Sequence, residues 1–221
     1  MAIAPVGYKT QSIDTAVDAE IYLFGLWKRL TLVLDVAAIL NRLNIPYLIG
    51  GSVASSLMGE MRATEAEAVD IVVDLTIEKV IPLLQSLQPR FYVSENAVQD
   101  AIRFKRSFNL IDNESLGKVD IFILKDNPFP QIEFQRRRSQ LVRQNPDQML
   151  VLPTPEDIIL QKLVCYRMTK NDSQSQWRDV LGVLKLQGDR LDFDYLKKWG
   201  VELSLRDLLE TAYTESGLSS F

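Results

Sequence analysis

The pattern of apolar and polar residues predicts a chain that begins with a long helix, followed by a strand that enters a glycine turn. Between residues 15 and 43, apolar side chains recur every three or four positions, as they do along one face of a helix. Pro46 ends this pattern because proline disfavours helical backbone at the residue before it. The segment 46–51 (PYLIGG) then predicts a short buried strand running into the turn, and 52–59 (SVASSLMG) predicts a short helix.

Alternating and β-branched residues predict further strands. The segment 69–75 (VDIVVDL) gives the strongest of these signals, and the segments 104–112 and 117–125 predict two strands joined by a turn. The other elements predicted in this half are helices over 78–87, from Ser94 and over 128–138, and short strands at 91–93, 141–144 and 149–153. Strands and helices therefore alternate up to about residue 152, as in an α/β or α+β domain.

From Thr154 onward the sequence predicts helices only. Thr154 is a suitable N-cap, Pro155 suits the first helical position, and acidic residues follow in the first turn. Three more helical segments are expected at 174–187, 193–199 and 204–216. The predicted organisation is a flexible tail over 1–14, an α/β domain over 15–152 and a helical C-terminal subdomain over 153–221.

Composition narrows the chemistry available to this chain. It contains no histidine and one cysteine, Cys165, so Ser-His and Cys-His catalysis, imidazole metal sites and an internal disulfide framework are excluded. A metal ion would have to be held by carboxylates, which favours Mg²⁺ or Mn²⁺. The net charge of −4 is unlike that of a nucleic-acid coat, and no apolar run is long enough to cross a membrane. We expect a soluble cytoplasmic protein without a signal peptide or a membrane partner.

The residues best suited to catalysis lie in three short segments. Gly50, Gly51 and Ser52 form a strand-to-helix turn, where backbone N–H groups and a hydroxyl can bind phosphate. Asp70 and Asp120 each stand among aliphatic residues of a predicted strand, where a carboxylate is costly unless it is paired, solvated or metal-bound. If the two strands are neighbours, these acids predict a carboxylate pair that holds a divalent cation. The alternatives are an ordinary turn and two edge-strand acids that face water.

The segment 49–75 (IGGSVASSLMGEMRATEAEAVDIVVDL) resembles the opening motif of the nucleotidyltransferase superfamily of the DNA polymerase β type. More narrowly, it resembles the bacterial minimal and AbiEii-type nucleotidyltransferases. In these proteins a strand ends in Gly-Gly or Gly-Ser, a short helix follows, the next strand carries Asp-x-Asp, and a later strand supplies a third carboxylate, here Asp120. The resemblance covers residues 45–200 and implies a small mixed sheet flanked by helices, with a C-terminal helical bundle that closes one side of a cleft.

The resemblance also implies a function. Such proteins bind a nucleoside triphosphate with Mg²⁺ (or Mn²⁺) and transfer a nucleotidyl group to a hydroxyl of RNA, a protein or a small molecule. Asp70 and Asp120 would be catalytic and hold the metal, while the glycine turn would hold the β- and γ-phosphates. In AbiEii-type proteins a lysine and an aspartate of the later helices line the nucleotide side of the cleft, which corresponds here to Lys162 and Asp179. Because the family includes toxins, an AbiEii-like toxin with a partner antitoxin is one expectation.

One position departs from the family pattern. The first aspartate of Asp-x-Asp falls on Ala68, and the segment between Arg62 and Asp70 is longer than usual. Glu65 and Glu67 lie close by, but strand side chains alternate, so only a bulge would bring Glu67 to the face that carries Asp70. The alternative hypothesis is therefore a catalytically degenerate relative that binds a nucleotide or a protein partner without transfer. Arg62 is a candidate phosphate ligand, although an arginine in a polar loop is usually solvated.

Several candidate residues also have purely structural explanations. A snorkelling surface lysine would account for Lys162, and a local ion pair with Arg178 would account for Asp179. The three consecutive arginines at 136–138 are more typical of a solvated helix face than of an RNA site. Cys165 is predicted to be a buried small residue and not a nucleophile.

Overall fold

The computed structural model describes residues 16–59 and 68–218, with side chains described from residue 27 onward. Helices and strands alternate as far as residue 152, and helices follow from there to residue 218. In chain order the described elements are α1 (Ala16–Arg42), β1 (Tyr47–Ile49), α2 (Gly51–Met58), β2 (Ala68–Val73), α3 (Val80–Leu87), β3 (Phe91–Tyr92), α4 (Glu95–Phe104), β4 (Ser107–Asp112), β5 (Lys118–Ile123), α5 (Pro128–Arg136), β6 (Arg138–Arg143), β7 (Gln148–Leu152), α6 (Pro155–Met168), α7 (Gln174–Gln187), α8 (Phe193–Glu202) and α9 (Arg206–Glu215), with short 3₁₀ turns at Ile77–Lys79 and Gly188–Arg190.

Five strands form a mixed sheet in the order β1-β2-β5-β4-β3. β2 and β5 run parallel, and the other neighbouring strands in this sheet are antiparallel. β6 and β7 form a separate antiparallel hairpin, and β7 also contacts β1. This small mixed sheet with helices packed against it confirms the predicted α/β (α+β) fold class.

The two faces of the sheet differ in chemistry because side chains alternate along each strand. On β2, Val69, Ile71 and Val73 are buried, whereas Asp70 on the opposite face is only half-buried. β5 repeats the pattern, with aliphatic residues on the core face and Asp120 on the other. α1 contacts β2 and α4 contacts β4 and β5, so these helices cover the apolar face. The acids are therefore carried by the face opposite the core.

The hydrophobic core continues from α1 and the sheet into the C-terminal helices α6 to α9. α2 connects the two regions because it contacts both β2 and α7. A Cβ at Gly59 would lie 2.8 Å from the backbone nitrogen of Val183, so the close approach of the end of α2 to α7 requires glycine there. The helix that follows the glycine turn is thus held against the C-terminal helices. The domain division at residue 152 stays a prediction.

Predicted and observed elements differ at several boundaries, and two of these differences have a physical reason in the structure. The strand β1 stops at Ile49, because Gly51 has a φ of +60° and is already the first residue of α2. The strand β6 begins at Arg138, earlier than predicted, because it pairs with β7 as far as Leu152. None of the helices in the described part of the chain is long and apolar enough to cross a membrane.

Candidate active site

Asp70 and Asp120 lie side by side on adjacent strands. In the parallel pair of β2 and β5, Asp70 is the direct partner of Asp120. Neighbouring strands are about 4.8 Å apart and residues in register point to the same face, so the two carboxylates emerge together. Asp70 is half-buried, and the side chain of Asp120 is 19 % exposed. The structure brings the two predicted acids together, while their catalytic and metal-binding roles stay predictions.

The glycine turn lies directly against Asp70. Gly50 donates its backbone N–H to the carbonyl oxygen of Asp70 at 2.9 Å. Gly51 has a φ of +60°, which favours glycine, and a Cβ at this position would lie 2.0 Å from Asp70 Oδ2. Because α2 begins at Gly51, with Ser52 in its first turn, the helix end that attracts anions meets the carboxylate pair.

The electrostatic environment of Asp70 is shaped by burial and by charged neighbours. Burial raises the pKa of the Asp70 carboxyl above its usual range, and the charge of Asp120 raises this pKa further. Lys162 and Lys118 act in the opposite direction. A cation placed between two adjacent carboxylates relieves their repulsion, so this arrangement is suited to binding positive charge.

Lys162 and Asp179 form a buried ion pair that links α6 to α7. The side chain of Lys162 is only 6 % exposed, and its Nζ lies 2.8 Å from Asp179 Oδ2. Ser55 of α2 donates its hydroxyl to the same oxygen at 2.9 Å. The surface explanation for Lys162 is therefore wrong, and Asp179 is held across the fold by partners on two other helices.

α6 also approaches the glycine turn directly. The side-chain nitrogen of Gln161 would lie 3.9 Å from a Cβ placed on Gly50. The next residue, Lys162, is close enough to Asp70 to lower the pKa of that carboxyl. The site is thus formed by the glycine turn, the acids of β2 and β5, and the neighbouring face of α6.

Some predicted residues lie outside the described residues. These are Arg62, the candidate phosphate ligand, and Glu65 and Glu67, which stand near the position of the missing first aspartate. Ala68 is described: it is the first residue of β2 and pairs in register with Lys118 of β5. The methyl group of Ala68 therefore lies beside Lys118, on the same face of the sheet as Asp70 and Asp120.

Sequence reasoning gave no role to Lys118 or Ser55. Lys118 Nζ lies 2.9 Å from Oδ1 of Asp120 and donates to Oδ2 at 3.3 Å. The sequence contains a local indication of this contact, because a residue two positions before Asp120 in a strand points to the same face as Asp120. Ser55 left no such signal, since its partner Asp179 is 124 residues away in the chain.

Two of the three arginines at 136–138 make side-chain contacts within the protein, and Arg138 is exposed at the start of β6. Arg136 Nε donates to Asp157 Oδ2 at 3.1 Å, and its guanidinium lies 3.8 Å from the centre of the Tyr195 ring. Arg137 donates to the carbonyl oxygen of Phe134. The prediction of a solvated helix face is therefore wrong for Arg136, which is a structural residue and gives no support to an RNA site.

Cys165 lies on α6 and is half-buried. Burial raises the pKa of its thiol above the usual range. A thiol with a raised pKa stays protonated at neutral pH and is a poor nucleophile, so the environment of Cys165 agrees with a packing role.

Asp70 and Asp120 offer oxygen ligands of the kind that Mg²⁺ and Mn²⁺ prefer. Within the described side chains, no three or more acidic or cysteine residues come together as a metal cluster. Mg²⁺ at nucleotide sites commonly takes one or two carboxylates and completes its shell with phosphate oxygens and water. The described residues therefore fit one Mg²⁺ that is shared between two carboxylates and a nucleotide.

Comparison with known proteins addresses the fold. No protein-family model matches the chain, and no curated protein is similar to it in sequence. The structure is similar to that of an antigenic nucleotidyltransferase-like protein from Paracoccidioides brasiliensis, with a TM-score of 0.52 and 20 % identity over 83 % of this chain and 91 % of that protein. Similarity is weaker to the antibiotic-resistance factor ANT(2'')-Ia (TM-score 0.49, 13 % identity, 85 % and 94 % covered) and to the lincosamide antibiotic adenylyltransferase LnuA (0.43, 13 %, 71 % and 94 %). The chain therefore has a nucleotidyltransferase-like fold.

Proposed function

We propose that this chain is a nucleotidyltransferase. It would bind a nucleoside triphosphate with Mg²⁺ (or Mn²⁺) and transfer the nucleotidyl group to a hydroxyl of an RNA, a protein or a small molecule. The observation that supports this most directly is the register pairing of Asp70 with Asp120, beside the glycine turn that opens α2. The nucleotidyltransferase-like fold agrees with this assignment.

The proposed reaction is a displacement at the α-phosphorus of the nucleotide. The acceptor oxygen forms a bond to this phosphorus, the bond to the oxygen that bridges to the β-phosphate breaks, and pyrophosphate leaves. The proton of the acceptor hydroxyl passes to a carboxylate oxygen of Asp70 or Asp120. A divalent ion held by these two residues would neutralise charge on the phosphates.

The residues around the acids would bind the rest of the nucleotide. The backbone N–H of Gly51 and the Ser52 hydroxyl would hold the β- and γ-phosphates at the N-terminus of α2, in the turn that begins at Gly50, whose own N–H is donated to Asp70. Lys162 would contribute positive charge on the side of the cleft formed by α6, and its ion pair with Asp179 keeps that charge in place. Arg62 would bind a phosphate group of the nucleotide through its guanidinium group.

Calorimetric titration of each nucleoside triphosphate, with and without Mg²⁺ or Mn²⁺, tests the proposal. Wild-type protein should bind at least one nucleotide in a metal-dependent manner, and an Asp70→Asn/Asp120→Asn variant should lose that binding. Asp74→Asn is the matched control, because Asp74 follows the same strand but is exposed. The proposal is wrong if no nucleotide binds with either metal, or if the double variant binds as well as the wild type.

One observation favours a second candidate function. Beside the glycine turn, the described residues bring two carboxylates together, Asp70 and Asp120, and Ala68 carries none. A catalytically degenerate relative would bind a nucleotide, or a protein partner, without transferring anything. Incubation with radiolabelled nucleotide and total RNA, cell protein or small hydroxylated compounds separates the two candidates, because only the enzyme leaves label on an acceptor and releases pyrophosphate.

The sequence resemblance adds a narrower hypothesis, in which the protein is an AbiEii-like toxin with a partner antitoxin. Induced expression of the wild type in a bacterial host should then arrest growth, and Asp120→Asn should abolish the arrest. Equal growth with both proteins would remove the toxin hypothesis and leave the proposed transfer reaction untouched.

A further inference from the structure

The row of residues beside the two acids pairs Ala68 with Lys118. These two residues are register partners in β2 and β5, one step along the same face from Asp70 and Asp120. Ala68 ends at its β-carbon, so it offers no carboxylate to the longer side chain of Lys118. The ammonium group of Lys118 turns toward the neighbouring acid, 2.9 Å from Asp120 Oδ1 and 3.3 Å from Oδ2.

This arrangement sets the charge of the site before any ligand binds. Asp70 and Asp120 contribute two negative charges, and Lys118 brings one positive charge into direct contact with Asp120. The Lys162–Asp179 ion pair is neutral as a whole, although its ammonium group still lowers the pKa of the Asp70 carboxyl. A site that works with two divalent ions places them close together and needs several anionic ligands. The described residues do not fit such a pair of ions, since one carboxylate is already bound to an ammonium group.

The Lys118 ion pair also differs from an ordinary surface pair, Lys105–Asp126, which joins the end of α4 to the loop after β5. Lys105 and Lys118 have equally exposed side chains, at 43 % each. The partner of Lys105, Asp126, is 79 % exposed, whereas Asp120 is 19 % exposed and stands beside a second carboxylate. Solvent screens the first pair strongly and the second much less. Lys118 therefore acts on the electrostatics of the acids in a way that Lys105 cannot.

We propose that Lys118 is the fixed cation of this site, which takes the place of a second divalent ion with a single positive charge and limits the protein to one metal ion per bound nucleotide. The inference rests on the proposed nucleotidyltransferase function. The ammonium group neutralises one carboxylate and faces the side of the sheet on which substrate would bind, so it can stabilise negative charge that develops on the acceptor or phosphate oxygens. The alanine at position 68 is compatible with this role of Lys118. An aspartate at that position would compete with Asp120 for the same ammonium group.

Metal counting by electron paramagnetic resonance of free Mn²⁺ tests this inference without an activity assay. In nucleotide-free protein, Lys118→Met should bind Mn²⁺ at least about tenfold more tightly than the wild type, since the variant removes a positive charge in contact with a ligand. Lys105→Met is the matched control and should leave Mn²⁺ affinity unchanged. With a non-hydrolysable nucleotide analogue, the wild type should hold one Mn²⁺ per nucleotide, and Ala68→Asp/Lys118→Met should hold two.

Other outcomes are equally informative. Two Mn²⁺ per nucleotide in the wild type would overturn the inference, and loss of the second ion in Glu67→Gln would then identify Glu67 as the missing ligand. Unchanged Mn²⁺ affinity in both Lys118→Met and the polar variant Lys118→Gln would also overturn it, provided that circular dichroism shows both variants folded. Failure of the analogue to bind any variant would refute the proposed function, whereas the nucleotide-free titration would still decide the role of Lys118.

Discussion

Two groups of carboxylates occupy different parts of this protein and differ in what surrounds them. One is the sheet pair, Asp70 and Asp120, on β2 and β5. The other is the helical acidic cluster, formed by Glu133 of α5 and by Glu156 and Asp157 of α6. Both groups are rich in negative charge at the junction of several elements, so charge content alone would nominate either as a functional site.

In the helical acidic cluster, Asp157 is fully satisfied by the protein. It is 0 % exposed, and its carboxylate accepts hydrogen bonds from Thr154 at 2.7 Å, Arg136 at 3.1 Å and Tyr195 at 2.5 Å. Glu156 accepts from Arg136 and from the backbone of Asp192. The Asp157 carboxylate has so many internal partners that no oxygen is left for a ligand. Asp157 therefore holds α5, α6 and α8 together.

The sheet pair has fewer internal partners and greater access to solvent. Its two carboxylates stand next to each other, and Lys118 contacts one of them, Asp120, directly. The difference teaches how to separate structural from functional acids. Saturated hydrogen bonding together with complete burial marks a structural role, whereas adjacent, partly exposed carboxylates with unused oxygens mark a site for a ligand.

Neutralising one acid of each group gives the strongest test of the difference between the sheet pair and the helical acidic cluster. Asp157→Asn should lower the free energy of unfolding by about 3–5 kcal/mol, because it leaves the Arg136 guanidinium facing an amide in a buried network. Asp70→Asn should instead raise it by about 1 kcal/mol, because it removes a half-buried charge that repels Asp120. Urea unfolding of both variants at pH 7 measures these changes.

Equal losses of stability in Asp157→Asn and Asp70→Asn would contradict the distinction between the two groups. Nucleotide titration adds a second comparison, because Asp70→Asn should be folded and unable to bind. Asp74→Asn serves as the control for both measurements, since its exposed side chain predicts no large change in either.

The buried Lys162–Asp179 ion pair tests whether a buried, fully paired acid next to the sheet pair also has a structural role. Lys162→Met should cost about 3–5 kcal/mol because it leaves the Asp179 carboxylate buried without its ammonium partner. Lys162→Met/Asp179→Asn should recover most of this loss, since the asparagine can still accept the hydrogen bond of Ser55. Thermal and urea unfolding of the single and double variants form a double-mutant cycle.

No recovery in the double variant would show that the pair contributes more than charge compensation. In that case Lys162 and Asp179 would be positioned for packing, and their proposed place on the nucleotide side of the cleft would lose its support. A folded double variant that no longer binds nucleotide would strengthen that proposal, because stability and binding would then be separated.

The sequence predicts the helices, the strands and the two acids of the sheet pair, because each of these has a local signal. Contacts between distant parts of the chain have no such signal. Helix and strand positions follow from local periodicity, caps and prolines, so the predicted elements agree with the observed ones to within a few residues. The acids Asp70 and Asp120 were identifiable because a carboxylate within an aliphatic strand is unusual. Their exact register, and the bond from Ser55 to Asp179, depend on long-range packing that no local pattern encodes.

Glu133 provides a pH-dependent test of the helical acidic cluster. Burial, with help from the charge of Asp157, raises the pKa of Glu133 from 4.5 to about 8, and its Oε1 has no hydrogen-bond partner among the described residues. The native state therefore keeps a proton that the unfolded chain releases between these two pKa values. Stability from this group is complete below pH 4.5 and is lost as the pH rises to about 8.

The corresponding slope is about 1.4 kcal/mol per pH unit, and Glu133→Gln should abolish it because glutamine does not titrate. Urea unfolding of the wild type and this variant at pH 5, 6.5 and 8 measures the slope. Glu114→Gln is the control, because Glu114 lies in an exposed turn. Parallel pH profiles for wild type and Glu133→Gln would mean that Glu133 is ionised in the native state and has a partner.

Substitutions of two glycines are expected to change stability less than Asp157→Asn, and they separate backbone strain from contact with the sheet pair. Gly51 and Gly188 both have positive φ angles, of +60° and +50°. Alanine at either position should cost about 1–2 kcal/mol, since both impose a left-handed backbone on a residue with a Cβ. Only at Gly51 would that Cβ meet the Asp70 carboxylate, at 2.0 Å, whereas nothing lies within 4 Å at Gly188. Gly51→Ala should therefore lose metal-dependent nucleotide binding while Gly188→Ala retains it, and equal binding by the two variants would separate the turn from the carboxylate pair.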